Sequence, residues 1–100
     1  MFGNLMDKLN NAQTDMVQRL DFVLVDGQAE GGMVKVVSNG NKVIKQVLID
    51  QKLIDEGDKE AVEELVLVAV NRALEKADEV HREEMKKIAG DMLPDISGMF

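Results

Sequence analysis

Gly31–Asp50, GGMVKVVSNGNKVIKQVLID, is the stretch whose reading decides the fold. It reads as a β-hairpin: β-branched, apolar-rich segments at about Met33–Ser38 and Lys42–Ile49, on either side of Asn39-Gly40. Asn-Gly is the strongest short-range hairpin signal, because a two-residue type I′ turn needs positive φ at both central positions. Between Gly31 and Ile49 the segment carries Lys35, Lys42 and Lys45 and no acidic residue, in a chain of formal net charge −7. The hairpin is a local reversal of sign.

Upstream, Leu5, Leu9, Ala12, Met16, Leu20 and Val23 recur at spacings of four and three, which predicts an amphipathic helix from Asn4 to about Val23. FVLVDGQA, Phe22–Ala29, then predicts a first strand that turns at Gly31-Gly32. Asp26-Gly27 inside it is either a turn signal or the mark of a bulge or twist. Downstream, Asp50 caps a short helical turn, QKLI, which Gly57 ends. Asp58 caps a long helix to about Ala89, with Glu60 in its first turn and Lys86 and Lys87 in its last, as the macrodipole favours. LVLVAV, Leu65–Val70, has strand propensity, but it lies in a long run free of Gly and Pro. Ala69, Ala73, Ala77 and Val80 continue a helical stripe through it, so helix is the reading. Gly90 and Pro94 are expected to stop the helix.

The fold class is therefore α+β: N-terminal helix, three-stranded antiparallel sheet, short helix, long C-terminal helix. One domain over residues 1–90 and a flexible tail over 91–100, DMLPDISGMF, complete the organisation. Strand three is apolar on both faces by simple alternation, with Val43, Val47 and Ile49 on one and Ile44 and Leu48 on the other. A three-stranded sheet on the helices of one chain normally leaves one face polar, so a second copy of the chain is the expected cover.

Composition narrows the function. With no cysteine there is no thiol nucleophile, disulfide or Cys-ligated zinc. His81 and Glu84 stand one helical turn apart, but a metal site needs three or four ligands and no second histidine exists. Neither Ser38 nor Ser97 lies in a nucleophile elbow. No enzyme activity and no cofactor are expected. Three Phe, no Trp and no Tyr leave no platform for stacking bases. The N-terminus lacks a basic n-region and no apolar run spans a bilayer, so a cytoplasmic location is the expectation.

The order of elements and their residues resemble the YbaB/EbfC family of nucleoid-associated proteins. Met1-Phe2-Gly3-Asn4-Leu5-Met6 looks like that family's start. Gly32-Met33-Val34-Lys35-Val36, Asn39-Gly40 and Val47-Leu48-Ile49-Asp50 look like its central signature. Asn71-Arg72-Ala73 sits where members carry an N-x-A motif, and Met92-Leu93-Pro94 to Gly98-Met99-Phe100 is similar to their ending. The resemblance implies a dimer with helices projecting like tweezers. It also implies double-stranded DNA binding in the cytoplasmic nucleoid without catalysis.

Lys35, Lys42, Lys45, Lys86, Lys87, Lys8 and Arg19 are the candidate DNA contacts, acting on phosphates with low sequence specificity. Against them stands the plainer role of edge-guarding or solubilising charge. Along the long helix, Glu79–Arg82, Glu83–Lys86 and Glu83–Lys87 have pair spacing, and a salt-bridged solvated face is expected there. The rival function is a non-enzymatic protein–protein adaptor that does not bind DNA.

Overall fold

The computed structural model describes residues 2–92. Helix α1 (Phe2–Leu20) leads to strands β1 (Leu24–Ala29), β2 (Val34–Asn39) and β3 (Ile44–Ile49). Helices α2 (Gln51–Asp55) and α3 (Lys59–Met92) follow. The sheet is antiparallel in the order β1-β2-β3. The element order is the one the sequence implies, with shifted bounds: α1 ends at Leu20 rather than Val23, and β1 starts at Leu24 rather than Phe22. α3 runs on through Gly90 to Met92, so this glycine does not stop it. A single helical glycine costs only about 1 kcal/mol against alanine, which an already propagating helix tolerates. Of the expected tail, residues 91–100, Asp91 and Met92 belong to α3 and the rest lies outside the described residues.

α3 lies across β1 and β2. Its stripe Ala69, Ala73 and Ala77 is completely buried, and Gly27 faces it from the sheet. A Cβ added at Gly27 would collide with the backbone of Ala69 and Ala73. Asp26-Gly27 is thus neither turn nor bulge but the point where strand and helix backbones meet. Ala29, Val34, Val36 and Leu53 complete this core. A second, smaller core forms where α1 packs on the far half of α3: Met16, Leu20 and Ile88, flanked by Leu9, Ala12, Val80 and Met85. Thirty-four residues of α3 extend about 51 Å, and the molecule measures 63 × 27 × 16 Å. The α1–α3 pair is an arm projecting from the sheet.

The β2–β3 connection is not the expected type I′ turn. Asn39 and Gly40 do not have positive φ; Lys42 does, at 63°. The Lys42 N–H donates to the Asn39 carbonyl (3.1 Å) and the Asn39 N–H to the Val43 carbonyl (2.9 Å). The loop is therefore three residues, Gly40-Asn41-Lys42, closing on a left-handed residue. The reason lies in α1. The Gly40 N–H donates to the carbonyls of Leu20 (3.0 Å) and Val23 (2.9 Å), and Asn41 Nδ2 donates to the Val17 carbonyl (2.8 Å). These bonds dock the loop on the C-terminal end of α1, where the Val17 and Leu20 carbonyls also accept from the N–H groups of Asp21 and Val23. Asn39, buried, accepts from the N–H groups of Asn41 and Val43 through Oδ1.

A bulge between β2 and β3 corrects the face assignment of strand three. Val36 pairs with Val47 and Val37 with Gln46, but Ser38 pairs with Ile44, leaving Lys45 as the extra residue. Ile44 therefore joins Val47 and Ile49 on the α3 side, and Leu48 stays opposite Lys35 on the helix-free side.

Candidate nucleic-acid interface

The hairpin lysines do not make one patch. Lys35 stands on the helix-free sheet face, opposite Leu48 and Gln28. Lys45 occupies the β3 bulge, exposed. Lys42 leaves the hairpin altogether: its Nζ lies 2.7 Å from Asp78 Oδ1 on α3.

Asp78 serves a second cation, Arg82, whose Nε lies 3.3 Å from its other oxygen. Lys42 beside it, as hydrogen-bond donor and as charge, holds the Asp78 carboxyl below its ordinary range. Glu84 repeats the arrangement. Arg19 Nη2 donates to Glu84 Oε2 at 3.0 Å, joining the end of α1 to α3, and Lys87 Nζ lies 3.5 Å from Oε1. Asp78 and Glu84 are six residues apart, so about 9 Å along the axis and about a third of a turn around it. Four cations from α1, the β2–β3 loop and α3 thus converge on two carboxylates where the arm leaves the sheet. Each trio sums to one positive charge, and Asp15 and Asp91 line the same cleft as Arg19, Glu84 and Lys87.

The pairs expected along α3 form with other partners: Arg82 takes Asp78 and Lys87 takes Glu84, rather than Glu79 and Glu83. Lys42 and Arg19, coming from outside the helix, approach Asp78 and Glu84 and build the pairs around those acids. Lys8 and Lys86 are exposed on α1 and α3 and make no ion pair among the described residues. Arg72 donates to the Gln28 carbonyl at 2.6 Å. Arg82 was not among the expected DNA contacts; its i, i+4 spacing to Asp78 was the signal that could have found it. Nothing local could point to Arg19–Glu84, which are 65 residues apart.

The model of the YbaB/EbfC DNA-binding family matches residues 1–92. A nucleoid-associated protein of Chlorobium luteolum is 39% identical over 95 residues, covering 92% of this chain and 85% of the relative. One from Caldanaerobacter subterraneus is 38% identical over 96 residues, covering 96% and 81%. An uncharacterized protein of Helicobacter pylori, HP0035, superposes with a TM-score of 0.68 at 24% identity, over 79% of this chain and 92% of its own, and shares the fold. The elements and the spacing of their residues carry this similarity from end to end of the described chain, which belongs to the YbaB/EbfC DNA-binding family.

Proposed function

We propose that this chain is a non-enzymatic nucleoid protein that binds double-stranded DNA as a homodimer, through phosphates and with low sequence specificity. The observation that carries the reading is the convergence of Lys42, Arg82, Arg19 and Lys87 in a chain of net charge −7. At physiological salt the Debye length is about 8 Å, so the cations act on a phosphate within contact distance while carboxylates elsewhere on the chain are damped, and Asp15 and Asp91 beside Arg19 and Lys87 keep the site's affinity modest. Membership of a DNA-binding family and the names of its nucleoid-associated relatives support the partner and the place. Three Phe and no Trp or Tyr leave little for base stacking, and long side chains on a helix flank suit backbone contact rather than base readout.

The dimer is supported by β3. Val47, Leu48 and Ile49 are 44%, 43% and 36% exposed, and Leu67 of α3 is 61% exposed. An edge strand of this kind is a template for pairing with another chain. A second copy would also double the cationic sites offered to one duplex.

Anisotropy titrations on unrelated duplexes over a range of salt test the reading. Affinity should fall with a log–log slope of about −0.9 per phosphate neutralised. Lys42→Gln with Arg19→Gln and Lys87→Gln should weaken binding to every duplex by similar factors and flatten the slope. Lys35→Gln with Lys45→Gln should do less, because those two residues stand apart from the convergent set. A wild-type protein without salt-sensitive binding would favour the adaptor role instead.

A further inference from the structure

We infer that Asp78 and Glu84 set the affinity of this chain for DNA, each occupying in the free protein cations that a phosphate takes in the complex. The inference rests on the DNA-binding reading and concerns how that binding is held down. Binding then proceeds by exchange: phosphate oxygens take the place of the Asp78 carboxylate on Lys42 and Arg82 and of the Glu84 carboxylate on Lys87, while Arg19 keeps its bond to Glu84. A carboxylate left beside a bound phosphate repels it, so these acids oppose the complex both before and after the exchange.

The geometry makes the exchange feasible. The side chains of Lys42 and Asp78 are 48% and 42% exposed, and Arg82 is 64% exposed. Ion pairs this open to water contribute little to stability, whereas a phosphate offers a charge-assisted partner with several oxygens. Glu84 differs. Its side chain is only 23% exposed, while Arg19 and Lys87 are 59% and 70% exposed. Arg19 commits Nη2 to Glu84 and has other N–H donors for a phosphate without letting go. Asp78 is therefore the stronger brake, and Glu84 holds Arg19 in position as much as it competes for it.

The test compares variants of the full chain by anisotropy on a duplex of mixed sequence across a salt series. Asp78→Asn should tighten binding about three- to tenfold and steepen the slope by about 0.9 for each further phosphate neutralised. Glu84→Gln should tighten it less, and Asp78→Glu should stay close to wild type. Glu56→Gln, the same charge change on an exposed residue beside α2, should change affinity less than twofold. Combined with Lys42→Gln, Asp78→Asn should lose about half of its effect, because one of the two cations it frees is gone. Equal tightening by Asp78→Asn and Glu56→Gln, or an effect fully kept in the Lys42→Gln background, would show a net-charge effect and overturn the inference. Salt-sensitive wild-type binding that Asp78→Asn leaves unchanged would overturn it while sparing the DNA-binding reading. Wild-type protein that does not bind would remove both.

Discussion

The two edges of the sheet are treated oppositely, and not in the way their composition would suggest. β1, LVDGQA, contains an acid, a glycine and an amide, yet it lies under α3. β3, IKQVLI, is the more apolar strand and is exposed along its whole length. Hydrophobicity alone would place the helix on β3. Close approach decides otherwise: Gly27 meets Ala69 and Ala73 backbone to backbone, burying Ala29, Val34 and Val36 beside the contact. Arg72 then takes the Gln28 carbonyl of β1. The small residues fix where the helix lies, and the apolar surface it does not reach stays exposed along β3.

The largest effect should come from removing the close approach. Gly27→Ala adds one methyl where only backbone surrounds it, so strand and helix must separate along β1. Overpacking against a backbone that cannot rotate away should cost about 3 kcal/mol or more, read as a lower urea midpoint with unchanged slope. A midpoint near wild type would mean that α3 slides over β1 freely and that the edges differ for another reason.

The next effect concerns assembly. Light scattering of the wild type at micromolar concentration should give about twice the chain mass. Val47→Lys with Ile49→Lys, on the uncovered half of the α3-side face, should give the chain mass while keeping helical circular dichroism. Leu24→Lys, on β1 and 63% exposed, should leave the mass doubled. If Leu24→Lys splits the dimer and the β3 pair does not, the dimer forms through the other edge and the contrast between the strands runs the opposite way.

Element order was legible in the sequence because each element carries a local period or cap: the stripe from Leu5 to Leu20, Asp50 on the Lys52 N–H, Asp58 on the Ala61 N–H. What could not be read was set at long range. Asn39-Gly40 has the composition of a type I′ turn, but Gly40 is drawn to the carbonyls of Leu20 and Val23, and the left-handed conformation passes to Lys42. Strict alternation put Ile44 with Leu48, and one bulged residue, Lys45, reversed it. In the candidate site, Lys42, Arg19 and Lys87 were visible as cations. Their meeting at Asp78 and Glu84 depends on folding α1 and the hairpin loop onto α3, which no spacing along the chain encodes.

The smallest effect separates the strands by titration. β1 carries Asp26, whose carboxyl accepts a hydrogen bond from Gln28 Nε2 at 2.8 Å. That bond, and next the charges of Lys76 and Lys35, hold it below its ordinary value of 3.8 despite an opposing desolvation effect. β3 has no acidic residue to titrate. A carboxyl lowered on folding contributes stability above its unfolded value, and that contribution is lost as pH falls through the folded one. The urea midpoint should therefore be flat near neutrality and decline below about pH 4, with Asp78, lowered mainly by Lys42, acting in the same direction. Asp26→Asn should make the decline shallower by taking the β1 share away. If Asp26→Asn leaves the acid limb unchanged, the Gln28 hydrogen bond is too weak in solution to distinguish the two edges by pH, and their difference is one of packing alone.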